Sequence, residues 1–336
     1  MNIAIVGATG NVGRKIIEIL EKKQINIENL FLLASKNSEG KKINYNGKEH
    51  TVTNLEKFDF SSVKIAFFAA GSEVAEKWAH VAAEKTIVID NSKYFRKDPD
   101  IPLIVPEVNS KKLSDVKNKN IIANANCSVI PVVVALKPLH DLYNINRIVA
   151  STYQSVSGAG KSAMDELLSQ TEDYFQNKEI DSKNFTKQIA FNAIPHIDSF
   201  LENGYTKEEQ KTTDEIKKIL DKKIKVTSTC VRIPVLVSHC ISANVEFNKK
   251  CDLDEIRKVL STSPGCKVID EHQDGGYITP VEAEDKFETF ISRIRLDESR
   301  ENTINLWIVS DNLVKGAALN AVQIAESLIT NDFYGR

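Results

Sequence analysis

Through the first third of the chain, short apolar runs alternate with amphipathic stretches. Residues 3–6, 30–34, 64–69, 86–90 and 121–123 have the length and composition of strands, and residues 11–22 and 73–84 have the period of helices. In the first helix Val12, Ile16, Ile17, Ile19 and Leu20 make one apolar stripe. Five strands with helices between them predict a doubly wound parallel α/β sheet. Beyond Cys127 the pattern changes. A helix is predicted over 128–142, a long strand over 147–156 and an amphipathic helix over 161–175. Residues 177–225 are polar and lysine-rich, with a helix near 212–220 and loop elsewhere. Strands alternating apolar with polar follow at 226–235, 240–247, 290–296 and 303–310, then a last helix at 314–330. Such alternation suits a sheet with one solvated face, so the second half is predicted to be α+β with a mixed or antiparallel sheet.

The turn that joins the first strand to the first helix reads Gly7-Ala8-Thr9-Gly10-Asn11-Val12-Gly13. Glycines there let the backbone approach a pyrophosphate, and a helix N-terminus offers N–H groups and the positive end of a dipole. The spacing is GxxGxxG rather than GxGxxG, so a turn that binds nothing competes with this reading; its place after the first strand favours the dinucleotide. An acidic residue that would hold ribose hydroxyls is missing from the end of the second strand. The chain carries Ser35-Lys36-Asn37-Ser38 instead, a cation among short polar donors. That set suits a 2′-phosphate and predicts NADP over NAD, against the alternative of solvated loop lysines.

Composition narrows the class. With 336 residues the chain is long for one core, so two domains are expected. A net charge of -2 without a basic patch argues against nucleic acid. The longest apolar run, 129–136, is too short to span a bilayer and contains Pro131. The N-terminus shows no basic leader or cleavage signal, so a cytoplasmic setting is expected. Five cysteines at irregular spacing form neither a disulfide framework nor a CxxC metal site, so thiols in a reducing compartment and no metal are expected.

One of those cysteines stands apart. Asn124-Ala125-Asn126-Cys127-Ser128 joins a strand to a helix, and the positive end of a helix favours an ionised thiol. Its polar flanks point to a nucleophile; an inert core thiol, the reading for Cys230, Cys240, Cys251 and Cys266, is the alternative. A thiolate needs a proton-transfer partner, and histidine is the usual one. His50, His80, His140 and His272 sit among charged or turn residues and read as surface positions, and His196 as structural. His239 follows Arg232 by seven residues, and an arginine on an apolar strand is costly to bury unpaired. A bidentate clamp for a substrate anion explains Arg232; a structural ion pair also would.

Taken together, these segments resemble the bacterial aspartate-semialdehyde dehydrogenases. The resemblance is carried by residues 7–13, by Asn126-Cys127-Ser128, by STYQSVSGAG at 151–160, GYTKEE at 204–209, CVRIP at 230–234 and SDNLVKGAA at 310–318, in the family's order over nearly the whole chain. It implies NADPH-dependent reduction of aspartyl phosphate to the semialdehyde through a cysteine thioester, in the biosynthesis of lysine, threonine, methionine and diaminopimelate. It implies an N-terminal Rossmann domain (1–126), a C-terminal α+β catalytic and dimerisation domain (127–313) and a final helix (314–336) returning to the first domain, with a homodimer as the smallest assembly and a tetramer as the larger option. By resemblance Cys127 is the nucleophile, His239 the acid/base and Gln154 the group orienting the carbonyl, water or phosphate. Arg232 would clamp the substrate carboxylate and Glu208 its ammonium, with Arg96, Asn126 and Lys211 at the phosphate. Gly7, Thr9, Gly10, Asn11, Val12, Ser35, Lys36, Asn37, Ser38, Ser157, Gly158 and Asn312 would contact NADP. Lys36-Asn37 stands where the family more usually carries an arginine. Two other readings are N-acetyl-γ-glutamyl-phosphate reductase, whose substrate has no ammonium for Glu208, and a non-catalytic NADP-binding regulator.

Overall fold

The computed structural model describes residues 1–331, so the end of the expected 314–336 segment lies outside the described residues. Two compact units are present among the described residues: Met1–Ala125 together with 317–331, and Asn126–Gly316.

The first unit is built on β1 (Asn2–Val6), α1 (Asn11–Lys22), β2 (Asn29–Ala34), the hairpin β3 (Lys42–Tyr45) and β4 (Lys48–Thr51), β5 (Thr53–Asn54), β6 (Ile65–Phe68), α2 (Ser72–Ala83), β7 (Ile87–Asp90), β8 (Leu103–Ile104), the single turn α3 (Pro106–Asn109) and β9 (Ile121–Asn124). Its sheet runs β5-β2-β1-β6-β7-β9-β8 with every pairing parallel. The order reverses on either side of β1, which is the doubly wound pattern. Seven strands replace the five predicted, because β5 and β8 are two-residue edge strands too short to leave a period in the sequence. The β3–β4 hairpin, turning at Asn46-Gly47, is a further addition. Ile3, Ile5, Phe67 and Phe68 of the central strands are buried, each contributing roughly 1.5–3 kcal/mol of burial. The α1 stripe buries Ile16, Ile17, Ile19 and Leu20 as its period predicts, leaving Val12 at the margin.

The second unit contains α4 (Val129–Tyr143), β10 (Ile145–Gln154), α5 (Lys161–Phe175), α6 (Lys207–Ile219), β11 (Lys225–Arg232), β12 (His239–Phe247), α7 (Leu253–Thr262), β13 (Cys266–Val268), the turn α8 (Pro280–Ala283), β14 (Thr289–Leu296) and β15 (Thr303–Ser310). Its mixed sheet has the order β11-β10-β12-β15-β14-β13, with β10–β11 and β13–β14 parallel and the others antiparallel. Ile148, Ala150, Ile241, Ala243, Leu306 and Ile308 point to one face and are buried. Helices α4, α6 and α7 pack against the sheet. Three expectations need correction. The helix expected at 212–220 begins five residues earlier, because Thr206 and Glu209 form a capping box. The strand expected to reach 235 stops at Arg232, ahead of Pro234. Helix α7, capped by Asp252, was not anticipated.

The chain then makes a π-helical turn at Val314–Ala318 and enters α9 (Leu319–Thr330), which packs on α1 within the first unit. Asn320 Nδ2 there donates to the carbonyl of Ile104 (3.0 Å). No helix among the described residues is long and apolar enough to cross a membrane.

Candidate active site and dinucleotide cleft

Sheet parity assembles the first set of residues. Gln154 is paired with Arg232 at the ends of β10 and β11, and His239 opens β12, antiparallel to β10. All three therefore lie at one end of the sheet. Each is an even number of positions from a residue on the helix-covered face (Thr152, Cys230, Ile241), so all three side chains point to that face. There Cys127 sits two residues before α4, its Sγ 3.3 Å from His239 Nε2. The cysteine is partly exposed while His239 is 1% and Arg232 7% exposed. Gly158 is exposed beside them; a Cβ on it would lie 3.3 Å from both His239 Nε2 and Arg232 Nη1. A glycine at this point keeps the approach to the thiol open.

The imidazole is held from behind. The Ser155 amide donates to His239 Nδ1 (3.1 Å), and Ser155 Oγ is also 3.1 Å from that nitrogen. Burial, then the nearby Arg232 guanidinium, pushes the His239 pKa down to about 3, against smaller opposing effects of Glu208 and the Ser238 backbone. Arg232 itself donates through Nη1 to the Ser155 carbonyl. Cys230 and Cys240 are buried thiols pushed up to about 12 by loss of solvent, as inert core cysteines should be.

A second cluster adjoins the first. Glu208, on α6, accepts from Lys211 Nζ (2.6 Å), Asn126 Nδ2 (2.9 Å) and Gln154 Nε2 (3.2 Å). Burial alone would raise its pKa; the Lys211 charge, with the three hydrogen bonds, outweighs burial and brings it down to about 2. Lys211 also meets Asp198 (3.0 Å). A substrate ammonium at Glu208 therefore shares a carboxylate already paired with Lys211, and a phosphate at Lys211 meets an ammonium already neutralised. The Glu208 contact also fixes the Gln154 amide, since only Nε2 can face a carboxylate. Gln154 Oε1 is left buried and without a partner. That acceptor can take a water proton or an N–H, and the amide nitrogen carries a second proton besides the one donated to Glu208. Asn126 is likewise engaged: its Oδ1 accepts from the Ser128 amide and hydroxyl, and its own amide donates to Glu215 (2.7 Å).

Of the positions expected at the cofactor, Ser157 and Asn312 are buried. Asn312 Oδ1 accepts from Ser155 Oγ, Ser157 Oγ and the Ser238 amide, so it buttresses the His239 strand. In the first unit, Gly7, Thr9, Gly10, Ser35, Lys36 and Asn37 line one cavity of about 760 Å³ at the C-terminal ends of β1 and β2. Gly7 has φ +85° and its Cβ would lie 2.6 Å from Ala69 O; a Cβ on Gly13 would lie 2.2 Å from Gly7 O. Any side chain at either would close the turn. Asn11, Val12 and Ser38 are outside the set of cavity-lining residues, whereas Trp78 and Glu73 of α2 belong to it and were not anticipated. Arg96, also in the first unit, donates to the carbonyls of Asn124 (2.9 Å) and Asn91 (3.1 Å). Ser155, inside the 151–160 segment, and Asp198 were likewise not anticipated; neither residue type announces its role without the fold.

A dinucleotide-type cleft in one unit, and in the other a cysteine–histidine pair beside a buried arginine, define a class: an oxidoreductase of the semialdehyde dehydrogenase type. Residues 2–116 match the family described as "Semialdehyde dehydrogenase, NAD binding domain", and residues 136–315 the "Semialdehyde dehydrogenase, dimerisation domain". Aspartate-semialdehyde dehydrogenase of Rickettsia bellii is 49% identical over 98% of this chain and 97% of its own, and that of Aquifex aeolicus 49% over 97% of each. The crystal structure of aspartate semialdehyde dehydrogenase II from Vibrio cholerae, also solved complexed with ASA, superposes with a TM-score of 0.97 at 47% identity over 99% of both chains. The chain belongs to the aspartate-semialdehyde dehydrogenase family.

Proposed function

We propose that the chain reduces L-aspartyl 4-phosphate to L-aspartate 4-semialdehyde through a thioester on Cys127, with NADP as its cofactor. The contact of Cys127 Sγ with His239 Nε2 at 3.3 Å, beside buried Arg232, carries the reading. Thiolate attack on the acyl carbon forms the C–S bond and releases phosphate as the C–O bond breaks. Arg232 takes the substrate carboxylate, and Glu208, with the unpartnered Gln154 Oε1, accepts from its ammonium. Lys211 keeps its assignment to phosphate, and Asn126 orders the turn that carries Cys127. NADPH, when bound, supplies the hydride that reduces the thioester. The C–S bond then breaks, and the thiolate returns to the His239 contact. Three charged anchors hold the acyl carbon at the sulfur, which converts binding into orientation.

The cleft suits a dinucleotide phosphate: Gly7 and Gly13 let the turn pack tightly against Ala69 and on itself at the start of α1, and Lys36 at the end of β2 is the cation for a 2′-phosphate. The sheet face opposite the helices presents half-exposed Val149, Ser151, Tyr153, Ser242, Asn244 and Trp307, and this is the face we assign to a homodimer. A reducing compartment, the cytoplasm, suits a catalytic thiol. The test is direct. Protein mixed with aspartate semialdehyde, phosphate and NADP should generate the near-UV absorbance of reduced cofactor, and Cys127→Ser should abolish it while NADP still binds. Turnover by the serine variant would exclude the covalent route. Activity confined to the N-acetylglutamyl substrate would reassign the enzyme, and NADP binding without any turnover would make it a regulator.

A further inference from the structure

The dinucleotide cavity has an end that the glycine turn and Lys36 do not explain. Helix α2 packs against β6, β7 and β9 with small residues, burying Ala75, Ala79, Ala82 and Ala83. Its larger side chains, Val74 and Trp78, stand one turn apart and line the cavity with Leu55, which follows β5. A tryptophan ordinarily spends most of its ring on a core. Trp78 is only half-buried, and among the described residues its one ring contact is the Lys77 ammonium, 5.3 Å from the centroid. Asn54 adds a polar edge to the same wall and is itself 5% exposed. Its Oδ1 accepts from the Glu56 amide (3.1 Å), which fixes the side-chain amide and leaves Nδ2 as the group with a proton to give.

Charge sorts the two ends of the cavity. Lys36 is the cation at the end of β2, whereas Glu56 and Glu73 stand on the Trp78 side, where Lys77 is already paired with Glu56 at 3.7 Å. A phosphate belongs at the first end and a flat, uncharged ring at the second. NADP carries both on one ribose, the base on C1′ and the phosphate on C2′. A 2′-phosphate on Lys36 therefore leaves the base within reach of Trp78 in the same cavity. On the proposed reading of NADP as cofactor, we infer that its adenine stacks on Trp78, between Leu55 and Val74, and turns a ring nitrogen to Asn54 Nδ2. An indole is a good platform for a base, and the adenine ring nitrogens are acceptors that suit an amide donor. Lys77 does not bar the way. Its pair with Glu56 joins two side chains each about two-thirds exposed, and such pairs are weak. The ammonium can leave the indole for the outer face of the base, where a cation is again favoured. Trp78 and Asn54 are thus binding residues for the adenosine half of the cofactor.

The probe is adenosine 2′,5′-bisphosphate, which has the base and the 2′-phosphate but no nicotinamide. Saturating the full-length protein with it should quench tryptophan emission. Trp78→Phe, which keeps only Trp307, should show no quenching, while calorimetry finds its affinity within about threefold of wild type. Trp78→Ala should bind both the bisphosphate and NADP on the order of tenfold to a hundredfold more weakly, the usual worth of one stacked base. Asn54→Asp keeps the oxygen that caps the turn but loses the donor, and should weaken both ligands on the order of tenfold. Bisphosphate binding without quenching in the wild type would overturn the stacking, as would an affinity unchanged in Trp78→Ala. A loss in Trp78→Phe as large as in Trp78→Ala would mark a structural role and overturn it too. Asn54→Asp binding as tightly as wild type would remove the edge contact. A wild type that bound neither NADP nor the bisphosphate would take away the cofactor reading itself, and the adenine site with it.

Discussion

Glu208 offers the sharpest test of the site's energetics, because its environment fixes both the size and the pH dependence of an effect. Replacing it by glutamine keeps the shape but removes the charge that Lys211 faces at 2.6 Å. Linkage gives the magnitude. A carboxyl brought from 4.5 to about 2 by folding contributes roughly 3 kcal/mol once fully ionised. An independent estimate agrees: removing one partner of a buried ion pair costs roughly 3–5 kcal/mol, and Lys211 keeps Asp198, which places the loss at the lower end. The sign follows from the lowered pKa. Stability from Glu208 is present above its unfolded value of 4.5 and is lost as pH falls from there through about 2. The variant should therefore be less stable than wild type by about 3 kcal/mol at pH 7, and by less than half of that near pH 3.

Urea unfolding followed by tryptophan fluorescence can isolate the right unit. Trp78 and Trp307 are the two tryptophans, and only Trp307 lies in Asn126–Gly316. In a Trp78→Phe background the signal reports the unit that holds Glu208. A gap below about 1 kcal/mol at pH 7 would show that water screens the pair as at a surface. A gap of equal size at pH 7 and pH 3 would show that the loss is one of packing, and the charge argument would fail.

The remaining expectations are narrower. Arg232→Lys should lower kcat/KM by about a hundredfold or more, because an ammonium cannot reproduce a two-pronged contact with a carboxylate; near-normal kinetics would remove the clamp. Lys36→Ala should weaken NADP on the order of tenfold and leave NAD unchanged, measured by cofactor fluorescence titration, and equal weakening of both would refute the 2′-phosphate role. Gly13→Ala places a methyl 2.2 Å from Gly7 O, so NADP binding should be lost along with several degrees of melting temperature. An unchanged melt with intact binding would show that the turn is looser than its geometry implies.

How much of this was readable beforehand depended on the range of the interactions involved. The α1 stripe, the glycine turn and the thiol at the start of α4 are local features, and sequence periods and spacings report them. Fold class followed from the alternation of runs. The α6 boundary was also local, and Thr206 with Glu209 three residues later announces it, inside a lysine-rich stretch whose composition is that of a loop. The pairing of Cys127 with His239, 112 residues apart, is of another kind: residue chemistry alone left it one option among several, and resemblance to a family selected it. Least legible were partnerships that consume a side chain's capacity. That Lys211 is shared between Glu208 and Asp198, or that Gln154 spends an N–H on Glu208 while its oxygen stays without a partner, depends on which atoms meet, and no spacing rule encodes it.

The site's dependence on parity also explains why its supports matter as much as its reacting groups. Gln154, Arg232 and His239 reach one point only because three strands hold a fixed register; a slip of one residue in β12 would turn His239 to the opposite face and bring Cys240 to the thiol. The chain enters β12 through Ser238, whose φ of +74° is costly for a residue with a side chain. That strained entry is held by the Ser238 amide on Asn312, and the same Asn312 oxygen receives Ser155 Oγ, whose residue in turn fixes the imidazole. One buried amide side chain therefore holds both the strained entry to β12 and the residue that fixes the imidazole. Loss of Asn312 acts on both together, so its effect belongs with the chemistry of the thiol even though Asn312 forms no hydrogen bond to either reacting side chain.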